Sequence, residues 1–261
     1  MRLGIRTTIG IVLTLLFLST PVRAQTAAAG ADDDHWHFAV APYFWAAGIS
    51  GSASFKGIPE QPVEASFSDI IKNFDIGIAS RFDARNGRWG LATDLNYLNL
   101  GATIPAGEVL GHFEPKVDFR QLVAEADAFY RAFHGRQAEG VPAFFDVLVG
   151  ARYNGMRVQL KGTEFEGTRR TFEWVDGVVG MRFQAPLGRK VTFAGRGDIA
   201  GFGSDFTWQL QGDLAFHLSP RSALSGGYRY YDVDYDKGSG LDRKVYKIAT
   251  KGPVVAFVYG W

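Results

Sequence analysis

The sequence contains no cysteine, and residues 25–261 contain no apolar run long enough to cross a bilayer as a helix. The absence of cysteine excludes a disulfide framework, thiol chemistry and cysteine-ligated zinc. A spanning helix needs about 20 consecutive apolar residues, so this class of membrane segment is excluded from the same region. An excess of basic charge is also lacking, because 28 Lys and Arg residues face 27 Asp and Glu residues. That balance argues against a nucleic-acid partner.

The first residues have the pattern of an export signal. Arg2 and Arg6 precede an apolar stretch from Ile9 to Leu18, and residues 22–24 (VRA) place small side chains at the −3 and −1 positions of a cleavage site. This pattern predicts a cleaved signal peptide over residues 1–24. The alternative is an uncleaved anchor helix, but the apolar stretch is about half the length that such a helix needs.

The remainder divides into a flexible leader over residues 25–34 and a single domain over residues 35–261. The leader is rich in Ala, Gly and Asp, and no linker interrupts the uniform composition that follows it. Removal of the signal peptide would delete three arginines and no acid, taking the formal net charge from +1 to −2.

Apolar and polar residues alternate with a period of two through most of residues 35–261, which is typical of strands with two different faces. Ten strands are predicted, and an even number places both ends of the domain on one side. Their ranges are His35–Ala46, Phe74–Arg85, Arg88–Leu100, Phe119–Phe133, Ala143–Gly155, Thr171–Gln184, Val191–Phe202, Asp205–Leu218, Ala223–Tyr235 and Gly252–Trp261, with Lys244 as an alternative start of the last.

The connections between these strands mostly alternate between short turns and long loops. The short ones lie at Asn86-Gly87, Pro186–Lys190 and Ser219–Arg221, with His134–Pro142 of moderate length; the long ones are Ala47–Asn73, Gly101–Asp118, Met156–Arg170 and Asp236–Arg243. The short connection Gly201–Ser204 is the exception. Within the first long loop, Ser66–Phe74 has helical spacing with Ser68 as a candidate N-cap. The pattern predicts an all-β fold: a closed antiparallel up-and-down transmembrane β-barrel of about ten strands, with short periplasmic turns and long extracellular loops.

One face of the predicted strands carries arginine and carboxylate residues with almost no lysine. Seven arginines and eight carboxylates predict a charge network in the lumen, since an unpaired buried charge costs several kcal/mol. The predicted network comprises Arg81, Asp83, Arg85, Asp94, Glu125, Asp127, Arg131, Asp146, Arg152, Asp176, Arg182, Arg196, Asp198, Asp213 and Arg229.

Alternation alone leaves open which face points inward, and a soluble barrel would place its apolar face inside. The strands, at 10 to 15 residues, are longer than the usual soluble strand and long enough to cross a bilayer at a tilt. Aromatic residues also gather near the strand ends, as two interfacial belts would require. The predicted belts are Trp36, Trp89, Phe183, Phe216 and Tyr259 at one level and Phe44, Tyr97, Phe119, Tyr153 and Tyr228 at the other.

The last ten residues resemble the assembly signal of outer-membrane proteins, because Val255, Phe257, Tyr259 and Trp261 alternate on one face. The chain as a whole resembles a family of uncharacterised Gram-negative outer-membrane β-barrels. The resemblance is carried by Trp36, Phe38, Pro42, Tyr43 and Trp45, by the blocks Arg85–Leu95 and Trp174–Arg182, by the triplet Gly227-Tyr228-Arg229 and by Gly252-Pro253. It implies the fold and a location in the cell outer membrane, and it implies no activity. The partners implied are membrane lipid with lipopolysaccharide, periplasmic chaperones and the barrel-assembly machinery.

The sequence lacks the G-x-S-x-G, P-loop, Rossmann, H-E-x-x-H and EF-hand patterns. We therefore predict no catalytic residue, no metal site and no cofactor. Two alternatives are catalytic: a lumen histidine such as His217, or acid–base catalysis by the carboxylate pairs Asp83 with Asp94 or Glu125 with Asp127. Two others are metal sites: one near Asp32–His37, and a Ca²⁺ site near Asp232–Asp236.

The function predicted from these patterns is a structural barrel or a narrow small-solute channel with a charge-paired lumen. The alternative is a surface binding or adhesion module that uses the long outer loops and the segment Ser66–Phe74. A membrane-embedded enzyme is the third hypothesis.

Overall fold

The computed structural model describes residues 35–55, 58–72, 74–103, 116–135, 141–161, 169–240 and 243–261. The predicted signal peptide and leader, which include Asp32 to Asp34 of the metal candidate, and residues 104–115 of the predicted loop Gly101–Asp118 lie outside the described residues. The described elements are β1 (Trp36–Trp45), β2 (Gly48–Phe55), β3 (Ile58–Ala65), α1 (Phe67–Lys72), β4 (Phe74–Asn86), β5 (Trp89–Thr103), β6 (Lys116–His134), β7 (Phe144–Lys161), β8 (Arg169–Pro186), β9 (Val191–Gly201), β10 (Phe206–Ser219), β11 (Ser222–Lys237) and β12 (Lys244–Gly260).

Ten of these strands form a closed ring. β1 and then β4 to β12 pair in that order, each antiparallel to the next. β1 also pairs with β12, from Ala39 opposite Gly260 to Trp45 opposite Val254. Closure satisfies the backbone groups that lipid cannot hydrogen-bond. The predicted closed antiparallel barrel of about ten strands is confirmed, and the last strand begins at the alternative start, Lys244.

The side chains of the ring are inverted relative to a soluble barrel. Val149, Val179 and Leu210 face outward and are 59 to 60% exposed, whereas Asp146 and Arg152 face inward and are 0% exposed. A surface of large apolar side chains around a charged interior is stable only where lipid surrounds the barrel. The chain therefore has the architecture of a transmembrane β-barrel of the outer-membrane type.

The apolar outer band has the height of a bilayer core. On β7 the outward residues are apolar from Phe145 to Tyr153, nine residues that rise about 30 Å along the strand. At a tilt of about 40° they span about 23 Å, close to the ~25 Å band of outer-membrane barrels. Beyond Tyr153 the outward residues of β7 are Gly155 and then the charged Arg157. This band separates the terminal end, where Trp36 and Trp261 lie, from the opposite loop end.

The predicted belts hold with one correction. Trp89, Phe216 and Tyr228 are outward and 48 to 65% exposed. Phe119, however, lies inside the barrel, where it packs against the buried cluster that contains Phe172. Its strand places every second residue from Glu125 to Arg131 in the interior, and Phe119 has the same parity. The prediction that Phe119 faces lipid was wrong.

Tight turns close the strands at the terminal end. Gly87 follows Asn86 and has φ of +56°, a left-handed backbone conformation that glycine adopts without a Cβ penalty. The turn after Ser219 also has two residues, and the turn after Pro186 has four. At the loop end, β7 extends to Lys161 and β8 starts at Arg169. Much of the predicted loop from Met156 to Arg170 is therefore strand.

The predicted loop Ala47–Asn73 contains a β-hairpin, which is a second correction. β2 pairs with the upper part of β12, from Lys251 opposite Gly48 to Tyr246 opposite Ala53. β3 then pairs with the outer edge of β2. The hairpin therefore adds two strands to the barrel wall at the loop end only.

The wall is open on one side of that end. β1 pairs with β4 only up to Pro42 opposite Ser80, so residues 74–79 of β4 pair with β5 alone. In the part of the chain that the structure describes, no pairing joins β3 to β4. The short helix α1 connects these two unpaired edges. The barrel is thus a closed ring of ten strands at the terminal end and an open wall of eleven at the loop end.

Helix α1 starts with a capping box. The amide N–H of Asp69 donates to Ser66 Oγ at 3.3 Å, and the amide N–H of Ser66 donates to Asp69 Oδ2 at 3.1 Å. The Ser66 hydroxyl also donates to Asp69 Oδ2, at 2.6 Å, and this bond together with that from the Ser66 amide holds the pKa of Asp69 below its usual value. The N-cap is therefore Ser66, and the prediction of Ser68 was wrong. Among the described residues, no helix is long and apolar enough to span a bilayer.

Candidate functional site

The barrel interior is the candidate site, and it has two regions. Charged and amide side chains fill the part nearer the terminal end and the middle of the barrel. Apolar and aromatic side chains fill the part nearer the loop end. The charged side chains form three groups, which we call the terminal group, the central group and the Asp94 group.

The terminal group contains Asp83, Arg131, Asp146 and Arg182. Arg131 holds Asp146 with two hydrogen bonds, Nε to Oδ1 at 2.8 Å and Nη2 to Oδ2 at 3.2 Å. Arg182 reaches the same carboxylate at 3.0 Å and also bonds Asp83 on β4. The guanidinium of Arg182 lies 4.1 Å from the centre of the Phe129 ring. The contact between β8 and β4 crosses the lumen, because these strands are not neighbours in the ring.

The central group contains Glu125, Asp127, Arg152, Arg196 and Asp198. Arg152 donates from Nε to Glu125 and from Nη2 to Asp198 Oδ1, the latter at 2.6 Å. Arg196 bonds Glu125, Asp127 at 3.1 Å and Asp198 at 2.9 Å. Forked guanidinium contacts of this kind bind two carboxylates at once, which lysine cannot reproduce.

The Asp94 group is built around one buried carboxylate. Asp94 accepts from Tyr43 Oη at 2.7 Å, from Arg81 Nε at 3.1 Å and from Arg229 Nη1 at 3.2 Å. These donors come from β1, β4 and β11, so Asp94 on β5 joins both sides of the lumen. The indole ring of Trp45 lies 4.8 Å from the Arg229 guanidinium carbon and separates this group from the apolar region above.

Two glutamines on β10 connect the groups, and the sequence prediction missed them. Gln209 donates to Asp198 and accepts from Arg229 at 2.8 Å, so it links the central group to the Asp94 group. Gln211 accepts from Arg81. Both have the parity of the predicted lumen residue Asp213, which was the available signal. Tyr43 was also missed as a network member, although it belongs to the opening motif.

Three predicted network residues have other contacts. Asp176 is held by uncharged donors: Trp174 Nε1 at 2.9 Å, the Ser204 amide at 2.6 Å and the Ser204 hydroxyl at 2.9 Å. Arg85 donates to the carbonyl of Gly87 at 2.7 Å. Asp213 accepts from Gln211 at 2.7 Å. The structure brings the other twelve predicted residues into the three groups.

The apolar region contains a buried cluster from three strands, which we call the upper aromatic cluster. Its members are Met156, Phe172, Trp174, Tyr231, Val233 and Tyr235, with Trp45, Phe119 and Tyr246 packed against it. The ring centres of Trp174 and Tyr235 are 4.7 Å apart. Tyr231 also donates a hydrogen bond to Asn154 Oδ1 at 2.7 Å. The cluster lies on the loop-end side of the charged groups.

The candidates for catalysis have separate surroundings and do not form one shared site. His217 Nε2 is 3.1 Å from the Thr192 hydroxyl at the terminal end. Asp83 and Asp94, weighed as a carboxylate pair, belong to different groups. Glu125 and Asp127 are both engaged by Arg196. In the described ranges, no three His, Cys, Asp or Glu side chains gather as metal ligands would.

The C-terminal residues lie on the outer face of the closing strand. Val255, Phe257, Tyr259 and Trp261 are 41 to 57% exposed. The backbone of Trp261 exchanges two hydrogen bonds with Phe38 on β1, at 2.9 and 3.0 Å. Their role as an assembly signal stays a prediction.

Neither protein-family models nor curated protein sequences contain a match to this chain. Among solved structures, the chain is similar to Ail, the attachment invasion locus protein of Yersinia pestis, at 13% identity over 87% of this chain and 98% of that one, with a TM-score of 0.33. It is also similar to the translocator domain of the autotransporter NalP from Neisseria meningitidis, at 14% identity over 86% and 88%, with a TM-score of 0.41. A third is the Pseudomonas putida toluene transporter TodX, at 9% identity over 87% and 90%, with a TM-score of 0.28.

Proposed function

We propose that the protein is a barrel of the Gram-negative outer membrane, with both termini in the periplasm and a lumen that its own side chains close to ions. The even number of strands in the ring places both ends of the chain at the same end of the barrel. The tight turns lie at that end too, as periplasmic turns do in outer-membrane barrels. The proposed role is structural, and the interior charges serve as a plug.

The observation that carries this proposal is the position of Arg152. Its side chain is 0% exposed and it bridges Glu125 on β6 to Asp198 on β9. A hydrated pore would leave the guanidinium in contact with water along the barrel axis. Instead, the three groups and the upper aromatic cluster occupy the interior in turn. A ten-stranded barrel is only slightly wider than the eight-stranded case that side chains fill.

This geometry favours the structural half of the predicted function over the small-solute channel. A permeating ion would have to displace paired arginines and carboxylates, and each broken pair leaves a buried charge uncompensated. The network therefore supports a closed resting state.

Single-channel recording in planar bilayers tests the proposal. Wild-type protein is expected to insert without conductance steps in concentrated KCl. The charge-neutral double variant Arg152→Ala with Asp198→Ala removes the contact from β7 to β9, and we expect it to produce resolvable openings.

The control is Val149→Ala with Val179→Ala, a double truncation on the lipid-facing surface of the adjacent strands β7 and β8. This control is expected to stay silent. Regular, long-lived openings of the wild-type barrel would overturn the proposal.

A second candidate is surface binding at the loop end. The strands β6 to β8 contain 18 or 19 residues and rise beyond the apolar band, where the outward residues Arg120 and Arg157 are charged. Deletion of residues 101–118 tests this candidate on whole cells: loss of binding to a host surface, with the barrel still assembled, would support it. Unchanged binding would count against it.

The predicted partners belong to the same proposal. A chain that ends on an outward Phe257, Tyr259 and Trp261 in the closing strand suits recognition by the barrel-assembly machinery after delivery by periplasmic chaperones. Lipid and lipopolysaccharide would contact the apolar band.

A further inference from the structure

An apolar cavity lies at the loop end, beside the hairpin of β2 and β3. The cavity has a volume of about 190 Å³ and is lined by inward-facing side chains such as Met156 and Phe172. We call it the apolar chamber. Its lining includes Ile49 and Ala53 of β2, Val63 of β3, Phe119 of β6, Phe172 of β8 and Ile248 of β12. The missed hairpin therefore supplies much of one wall.

A second cavity lies between the chamber and the outside of the barrel. It has a volume of about 90 Å³ and shares Ile49 and Phe119 with the chamber. Trp45 lines it from inside the barrel, whereas Phe44 and Ile78 line it from the lipid-facing surface. A space bounded by residues of both faces passes through the wall. We call it the lateral gap.

The lateral gap follows from the strand pairing. β1 turns toward β12 after Pro42, and residues 74–79 of β4 are left without a partner on that side. Gly77 and Ala79 of this unpaired stretch line the gap. Because Gly77 has no Cβ and Ala79 has only a methyl group, neither residue fills it. Helix α1 covers it from outside, with the Phe67 ring 6.0 Å from the Phe44 ring in an edge-on contact.

The chemistry of both cavities selects an uncharged occupant. In the described part of the chain, neither cavity is lined by a charged side chain. An ionised group placed there would lose its hydration without gaining a counter-charge. The few polar side chains, such as Asn96 and Thr250 at the gap, are neutral.

The size of the chamber sets the size of the occupant. A dry apolar cavity of about 150 Å³ lined by aliphatic and aromatic side chains binds benzene. The chamber is somewhat larger, so it takes one ring or a short stretch of alkyl chain and excludes a whole lipid.

We propose that the apolar chamber binds a single hydrocarbon group, which enters sideways from the membrane through the lateral gap beneath α1. The group is either a small free hydrocarbon or the end of a lipid acyl chain. This site does not depend on the charged plug, because Trp45 and Tyr231 separate the two regions.

Fluorescence of Trp45 tests the proposal. The other five tryptophans are replaced by phenylalanine, and the assembled barrel is placed in phosphatidylcholine vesicles. One arm uses lipids with brominated acyl chains, and the other uses unbrominated lipids with added 1-bromooctane. Bromine quenches indole emission at short range, so we expect at least a halving of Trp45 emission in one arm or both. The arm that quenches identifies the source of the hydrocarbon.

Matched variants distinguish quenching by a bromine that has entered the lateral gap from quenching by a bromine that stays in the lipid outside the barrel wall. Ala79→Phe fills the lateral gap and is expected to restore most of the Trp45 emission. Ala151→Phe adds the same ring to the lipid-facing surface of β7 and should leave the quenching unchanged. If Ala79→Phe fails to assemble, Ala53→Leu fills the chamber from the hairpin, outside the ten-stranded ring, with the same expected result.

A lipid-facing reference completes the design. A variant with Trp89 as its only tryptophan, 65% exposed on the outer surface, is expected to be quenched in both arms. The proposal is overturned if Trp45 stays bright in both arms while Trp89 is quenched. It is also overturned if Ala79→Phe and Ala151→Phe give equal quenching.

Discussion

Arg152 on β7 reaches past the neighbouring strand β8 to Asp198 on β9, with 2.6 Å between Nη2 and Oδ1. Both side chains are 0% exposed. The contact therefore couples strands that share no backbone hydrogen bonds, and it does so in a part of the protein that water does not reach.

Replacing Arg152 by methionine should strongly destabilise the barrel. The change leaves Glu125 and Asp198 with one fewer buried counter-charge, a loss of about 3–5 kcal/mol. Arg152→Lys keeps the charge but cannot bind both carboxylates in a fork, so an intermediate loss is expected. Urea unfolding in detergent micelles, followed by tryptophan fluorescence, measures both. Equal losses in the two variants would show that the fork geometry contributes nothing.

An alanine at Gly150 should disturb the central group. A Cβ at this inward position would overlap the carbonyl oxygen of Ala126 and Oδ1 of Asp127. Overpacking of this kind costs about 1–3 kcal/mol. Gly226→Ala is the matched control, since a Cβ there meets nothing within 4 Å. Unfolding midpoints of the two variants give the comparison, and a neutral Gly150→Ala would contradict the packing described for Asp127.

Asp176 should hold the tip between β9 and β10 in place. Its carboxylate accepts from the amides of Gly203 and Ser204 at 3.1 and 2.6 Å. The tip also contains Phe202, whose φ of +87° is unfavourable for a residue with a side chain. Asp176→Ala is expected to speed hydrogen exchange of these two amides at least tenfold and to leave the barrel strands protected. Exchange at wild-type rates would assign the tip conformation to another cause.

The hydrogen bonds that the Asp205 carboxylate accepts at the loop end should be lost at low pH. Hydrogen bonds from Lys237 Nζ at 2.8 Å and from the Asp236 amide at 2.6 Å hold the pKa of this exposed carboxyl below its usual value. A lowered pKa in the folded state stabilises the contact above the unfolded value of about 3.9, and the contribution is lost as the pH falls through the lowered value.

Exchange protection of the Asp236 amide, followed between pH 6 and pH 2, measures this effect. Protection relative to a free peptide should fall at the acid end in the wild type. In Asp205→Asn it should be low and independent of pH. Identical profiles for the two proteins would remove Asp205 from the explanation.

The last residue should matter for assembly more than for lipid contact. Trp261 exchanges two backbone hydrogen bonds with Phe38, and its ring stacks on the Phe38 ring at 5.7 Å between centres. Trp261→Ala and deletion of residue 261 are expected to lower the assembled fraction severalfold, with deletion the more severe. Heat-modifiable migration on gels reports that fraction. Trp89→Ala, another exposed tryptophan at the terminal end, is the control, and an equal loss there would argue for a general belt effect.

The ring was predictable because period-two alternation is strong wherever one face meets lipid and the other meets charge. Each of the ten predicted strands corresponds to a strand of the ring, within a few residues at the terminal end. The hairpin was not predictable in this way. β2 is rich in Gly and Ser, and β3 contains Pro59 and Pro62. Proline is tolerated there because β3 is an edge strand.

The sequence predicts which residues face the barrel interior better than it predicts which of them contact one another. Parity identifies which side chains face inward, but a partner across the lumen depends on strand tilt and stagger. Asp176 lies directly opposite Arg152 on the next strand, yet it binds the β9–β10 tip. The short tip allows this, because it folds back to the level of Asp176. The prediction for Phe119 was wrong for a simpler reason. Phe119 and Glu125 are six residues apart on the same strand, so the alternation already placed both on the inward face.

The two unpaired edges beside α1 set a limit on how deep the barrel sits. The amides and carbonyls of residues 74–79 that point away from β5 need water or α1 as partners, and hydrocarbon offers none. On this side the hydrocarbon layer must end at the level of the lateral gap, near Ile78, whereas on the far side it extends to Tyr153. A barrel whose apolar band is lower on one side either tilts in its membrane or thins the adjacent leaflet next to β4.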